Sequence, residues 1–255
     1  IFILGLFATP SIVGIYYVAQ QVASLPQKLK TSFEPILGPV ITRNLKTRDY
    51  GAIARQVRQV GFWILAAQVG IALALGIPGE GVMGLIGPQF VGGTGALAFL
   101  LIAEAVAATA VVSEAALIYM ARIRNLVVSL LTVVLQGLLT VAGILLMQKL
   151  GYGELFQAAA AALALALAIG FASIAKAWIL GGLVNEGINN WRWPLVWAVA
   201  PSVLVGWAAT QFLPEWAELL FGIPAILAVY FGVLWVRAFG PEDRVLFQKT
   251  KTEPA

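Results

Sequence analysis

Along most of the chain, apolar residues run on for about twenty positions at a time, the length a helix needs to cross a ~30 Å hydrocarbon core. Short polar or Gly/Pro-rich connections separate these runs. The pattern predicts a stub at 1–9 and spans near 12–42, 57–77, 94–120, 125–148, 155–184, 194–213 and 216–237. The fold class is therefore all-α: a polytopic transmembrane bundle of about seven full spans after a truncated first helix. A soluble helical core is disfavoured, because soluble helices carry polar faces that most of these segments lack. The segment at 12–42 is too long for an upright span and must tilt, kink or protrude. Pro26, Pro35 and Pro39 supply a reason to kink, since each removes a backbone donor.

The connections test this map. Arg43, Lys46, Arg48, Arg55 and Arg58 follow the first full span. The next connection, PGEGVMGLIGPQFVGGTG, has no basic residue. Arg122 and Arg124 mark the next turn, and only Lys149 the one after. Lys176 and Arg192 are read as flanking the turn around NEGINNWRW, LPEWAE has no base, and the tail carries Arg237, Arg244, Lys249 and Lys251. Basic content alternates from end to end. The positive-inside rule then puts residues 43–56 and the C-terminus in the cytoplasm, and the turn near Thr9–Ser11 outside.

Composition agrees. Residues are 60% hydrophobic and 11% charged, against about 25% charged in an ordinary soluble domain, and mean hydropathy is +0.91. The net charge of +4 comes mostly from the connections, so it reports topology and implies no nucleic-acid partner. With no Cys and no His, there is no thiolate or imidazole chemistry, and no metal site or cofactor is expected. The chain opens on Ile1, and its first apolar block, IFILGLFATP, is too short to span and lacks the basic flank and cleavage site of a signal peptide. The expectation is a C-terminal piece of a longer protein, cut inside a helix. Small residues fill 157–172 and are read as a close-packing helix face.

Charge inside the segment at 12–42 is unusual, because ionisable groups near mid-membrane are costly and usually functional. On a helical projection, Gln20, Ser24, Gln27, Lys28, Lys30, Thr31 and Glu34 fall within about 160° of arc. Val18, Leu25, Leu29, Phe33 and Ile36 take the opposite side. Lys30 and Glu34 are spaced to pair, which leaves Lys28 in need of a partner or water. Glu104 and Glu114 lie in the span at 94–120, and Ser129, Thr132, Gln136 and Thr140 recur at helical spacing in the span at 125–148. Three readings stand: a polar cavity between helices, interhelical pairing that holds the bundle, or a span drawn in the wrong place. A positive cavity suits an anionic substrate such as a diphosphate. Buried Glu104 or Glu114, with a shifted proton affinity, would be the candidates for coupling transport to an ion.

At these residues the chain resembles the polysaccharide, or lipid-linked oligosaccharide, flippases of the multidrug/oligosaccharidyl-lipid/polysaccharide exporter superfamily. IVGIYYVAQQVASLPQKLKTSFEPILGPVIT is similar to the segment opening their second half, with Gly14, Tyr16, Ala19, Pro26, Pro39 and a basic loop from Arg43. LIGPQFVGGTGALAFLL, with Gly87 and Phe90, MQKLGYGELFQAAAAALA, with Gly151, and FGPEDRVLF resemble further elements of the family in order.

The resemblance implies the second lobe of a two-lobe exporter. Residues 1–186 would form the C-terminal lobe, 187–238 two additional membrane helices, and 239–255 a cytoplasmic tail. The partner would be the N-terminal half of the same protein. The cargo implied is a lipid-diphosphate-linked oligosaccharide, flipped from the inner to the outer leaflet of a bacterial inner membrane for O-antigen, capsule or exopolysaccharide synthesis. Lys28, Lys30, Gln20, Ser24, Gln27, Glu34 and Gln136 are the candidate substrate-binding residues. A multidrug or cation exporter of the same superfamily, a peptidoglycan-precursor flippase and a non-transporting scaffold are the competing readings. An embedded enzyme is disfavoured, since there is no His and no long loop with paired acids.

Overall fold

The computed structural model describes residues 1–240 and 243, without the side chains of residues 28–37. Every long element is a helix, and there is no strand among the described residues. After a short 3-10 turn come α1 (Pro10–Ala23), α2 (Gln27–Lys46), α3 (Tyr50–Gly76), α4 (Gly79–Ile86), α5 (Thr94–Met120), α6 (Arg122–Lys149) and α7 (Glu154–Val184). Then follow α8 (Pro194–Phe212) and a final helical run of α9 (Glu215–Ala217), a π turn (Glu218–Gly222) and α10 (Ile223–Arg237).

Among the described residues, six helical stretches are long and apolar enough to cross a membrane: Tyr50–Gly76, Pro88–Met120, Arg122–Lys149, Glu154–Val184, Pro194–Phe212 and Glu215–Arg237. The molecule is thus suited to be a multi-pass membrane protein. The segment expected as one span at 12–42 is instead two helices of 14 and 20 residues. The joint is Ser24–Pro26. Pro26 has no N–H to continue the α1 ladder, and Ser24 and Leu25 close tighter bonds, to Gln21 and Val22. Ser24 and Pro26 both keep right-handed helical angles, so the break is a kink with missing bonds rather than a loop.

Residues 78–93, read from sequence as a connection, are mostly helical. Their glycines favour that reading until packing is considered. Gly79 faces Thr94, Gly81 faces Leu219, and Gly93 lies where a Cβ would meet Ile15 and Met83. These close approaches fold the segment over the ends of α1, α5 and the last helical run.

Helices α5 and α7 share the most extensive interface, and α6 lies along α7. Ala103, Ala107 and Ala110 of α5 and Ala158, Ala161, Ala162, Ala164, Ala166 and Ala168 of α7 are buried. Short side chains let the backbones approach where lipid gives no hydrophobic drive. On α6, Gly143 sits so that an added Cβ would lie 3.3 Å from Ala160. Two apolar clusters stack along this core, one around Tyr16, Met83, Leu97 and Ile144, the other around Ile41, Ile53, Val112 and Leu180. A third joins α3 to α8 and α10 through Phe62, Leu195 and Tyr230. The Tyr230 hydroxyl donates to the Ala66 carbonyl at 2.8 Å, and its ring lies over Gly70.

The helix order brings the connections of one charge type to one end. There Arg58 pairs with Glu186 at 2.9 Å and Arg192 with Asp243 at 3.2 Å. At the other end, Thr9 donates from its amide and hydroxyl to Glu154, at 3.0 and 2.6 Å.

Candidate functional site

Helix α5 carries the polar groups that the sequence placed within the membrane. Glu104 and Glu114 are ten residues apart, which is about 15 Å of helix rise and about 80° of rotation. They therefore face different neighbours. Glu104 accepts a hydrogen bond of 2.5 Å from Gln27 Nε2 at the start of α2. The Pro26 kink sets this up, since it begins α2 where Gln27 can reach α5. Glu114 faces α6 and α7. It accepts from Lys176 Nζ at 2.8 Å and from Asn125 Nδ2 at 3.4 Å.

Lys176 is the residue the sequence reading misplaced. Counted there as a cation flanking a turn, it lies within α7, and its side chain is 5% exposed. Its position inside the apolar run at 155–184 was the available signal. The bonds to Glu114 explain how the charge is tolerated: each ion supplies what the other lost on leaving water. Without Lys176, the connection at 185–193 keeps Arg192 as its basic residue. The asymmetry between the ends then rests mainly on Arg43, Lys46, Arg48, Arg55, Arg58, Arg122, Arg124 and Arg237.

The Glu114 side chain is 37% exposed. It opens onto a cavity of about 340 Å³ bordered by Gly38, Val111, Ala115, Ile118 and Tyr119. Gly38 matters for shape, because a Cβ there would stand 3.2 Å from the Tyr119 hydroxyl. The arrangement is a carboxylate with one side neutralised by a buried ammonium and the other side accessible. Chemically it can hold a cation at the accessible side.

Gln27, Glu104 and Glu114 are thus built into interhelical contacts. Gln20 is exposed on α1. Ser24 turns its hydroxyl back to the Gln21 carbonyl at 2.7 Å. On α6, Thr132 and Thr140 donate to carbonyls one turn back, those of Val128 and Gln136, at 2.8 and 2.7 Å. These hydroxyls are satisfied within their own helix and need no cavity. Gln136 is half-buried on α6. The side chains of Lys28, Lys30, Thr31 and Glu34 lie outside the described residues.

Sequence reasoning passed over two further groups. Gln68 in α3 and Ser113 in α5 are buried, and neither the Gln68 amide nor the Ser113 hydroxyl has a partner. The other is the contact between the tail and the basic end. The Asp243 carboxylate accepts from Trp63 Nε1 at 2.9 Å, Gln59 Nε2 at 3.3 Å, Arg192 and the Gly240 amide at 3.1 Å. Burial alone would raise its pKa, but the Trp63 and Gly240 hydrogen bonds, the Arg192 charge and the Gln59 bond together hold it below the ordinary aspartate value. Arg192 also lies 4.3 Å over the Phe62 ring, and Phe239 stacks on Trp235. The first residues of the tail are thereby fastened to α3 and to the 185–193 connection.

No protein-family profile, curated protein or solved structure matches the chain.

Proposed function

We propose that the chain is one half of a membrane transporter that flips a lipid-diphosphate-linked oligosaccharide from the inner to the outer leaflet of a bacterial inner membrane. It would act with the N-terminal half of the same protein, its C-terminus in the cytoplasm, and serve surface polysaccharide synthesis. The observation that carries the transporter reading is the pair of carboxylates on α5, each held by a polar group from another helix, with Glu114 opening to a cavity. Intramembrane ionisable groups with partners and water access mark substrate and ion pathways.

The narrower choice of cargo draws on the family resemblance and on Lys28 and Lys30, whose positive charge suits a diphosphate. Alternating access between two lobes would expose that charge to each side in turn. Glu114 and Glu104 would take the ion-coupling role.

The test uses the full-length protein, with Lys28→Ala and Lys30→Ala singly and together. Surface polysaccharide and membrane abundance are measured in parallel. Lost polysaccharide at normal abundance is expected. Normal polysaccharide at normal abundance overturns the anionic cargo and returns the cation-exporter and scaffold readings. Loss of the protein itself makes the lysines structural and removes them from the substrate path.

A further inference from the structure

A second and larger cavity lies away from α5's carboxylates. It is an open groove of about 1010 Å³ between the last turns of α7, the start of α6 and the 185–193 connection, reaching α3 and α5 at Leu65 and Val106. This is at the upper end of the roughly 300–1,000 Å³ usual for small-molecule sites. Its two parts differ in chemistry.

One part is apolar, with Val106, Ile174, Ala177 and Ile179. Ile174 and Trp178 belong to a stripe of exposed apolar residues on α7 that continues through Leu163, Leu167 and Phe171. Steps of three and four residues keep that stripe on one helix face. The groove is therefore continuous with an apolar outer surface.

The other part is polar and lies at the basic end. Arg124 lines it, exposed and in no ion pair among the described residues. Glu186 lines it too, but its carboxylate is held by Arg58. Asn190 borders the groove as well. It is 3% exposed, and both its amide nitrogen and its amide oxygen lack a partner. A buried amide left unpaired on both sides is costly. The Asn190 amide packs on Gly61, where a Cβ would stand 2.2 Å from its nitrogen, and so seats the 185–193 connection, and this wall of the groove, on α3. Trp178 and Trp191 flank the groove, and amphipathic rings of this kind sit at the headgroup level of a bilayer.

We propose that this groove holds an anionic phospholipid, its acyl chain against Ile174 and Ala177 and its phosphate on Arg124. A cation at the basic end beside an apolar stretch continuous with the outer surface matches the charged head and the acyl chain of such a lipid. The site lies apart from the proposed transport pathway and does not depend on that reading.

The test is native mass spectrometry of the full chain after exchange into detergent with phosphatidylglycerol or phosphatidylcholine, alongside thermal melting. Phosphatidylglycerol is expected to be retained and to raise Tm, and phosphatidylcholine to be lost. Arg124→Gln should lower retention about fivefold, the share of one basic residue at an anionic headgroup. Arg124→Lys keeps the charge and should retain the lipid. Gly182 lines the groove with open space around it, so Gly182→Phe should fill it without disturbing the fold and abolish retention. Equal retention of the two lipids, or unchanged retention in Arg124→Gln, overturns the proposal. So does an equal Tm rise with soluble glycerol 3-phosphate, which would mean a free-anion site. If Gly182→Phe keeps the lipid but disrupts an oligomer, the groove is an interface between copies and the proposal fails.

Discussion

At the residue scale, Lys176 and Glu114 carry the strongest constraint. A lysine side chain only 5% exposed is accommodated between helices because a carboxylate lies 2.8 Å from its Nζ. Removing one partner strands the other, and for fully buried pairs that costs about 3–5 kcal/mol. Glu114 reaches the cavity, which lets water screen it, so we expect about 1–3 kcal/mol for Glu114→Gln. Lys176→Met should cost a similar amount, and the double variant should recover most of it. Melting in detergent across the four-variant cycle measures this, and additive losses would show that the two residues act independently. Half of this pair was legible in the sequence. Glu114 stands out in an apolar run, whereas Lys176 lies eight residues from the end of α7, where a cation is easily assigned to a turn. Their pairing depends on how α5 lies against α7, and no local spacing encodes that. The unpaired amide of Asn190 was hidden for the same reason: its burial arises from the close approach of the 185–193 connection to Gly61.

At the scale of elements, hydropathy located the six long helices because lipid demands a continuous apolar run and leaves little else to choose. It did worse where packing replaces hydropathy. The 12–42 segment became two helices at Pro26, and the glycine-rich 78–93 became helical through contacts with α1, α5 and Leu219. Glycines also set how α10 meets α3. Gly70 lies where a Cβ would stand 2.9 Å from Tyr230 Cε1, and that ring is fixed by its hydrogen bond to Ala66. The aromatic ring cannot retreat without losing the bond. Gly70→Ala should therefore loosen the seating of α8 and α10 on α3 and cost about 1–3 kcal/mol, the usual range for overpacking. Hydrogen exchange should show α10 losing protection while α5 and α7 keep theirs. If α10 protection is unchanged, the α3–α10 contact is more compliant than its geometry implies.

For the whole molecule, the two ends are chemically different, and that difference sets a direction across the membrane. The end holding the 185–193 connection and Asp243 carries Arg43, Lys46, Arg48, Arg55, Arg58, Arg122, Arg124 and Arg192. The opposite end carries Glu80, Glu154, Glu215 and Glu218 with Lys149. Correcting the place of Lys176 weakens the loop-by-loop alternation at one connection but leaves the contrast between ends intact, because the contacts Arg58–Glu186 and Arg192–Asp243 gather the basic connections physically. The positive-inside rule weighs basic residues in short loops and largely ignores acids, so the expected cytoplasmic end is the arginine-rich one. These 255 residues contain no cysteine, so a cysteine introduced among them is the single labelling site they offer. Gly187 and Gly153 lie at opposite ends, and both have open space around an added Cβ. In intact cells, an impermeant maleimide should label Gly153→Cys and spare Gly187→Cys until the membrane is opened. The reverse pattern would invert the whole bundle, put Asp243 and the lipid groove on the outer face, and leave Arg124 facing a leaflet poorer in anionic headgroups. Because every connection is tied to the others by the helix order, one labelled position at each end fixes the sidedness of all of them.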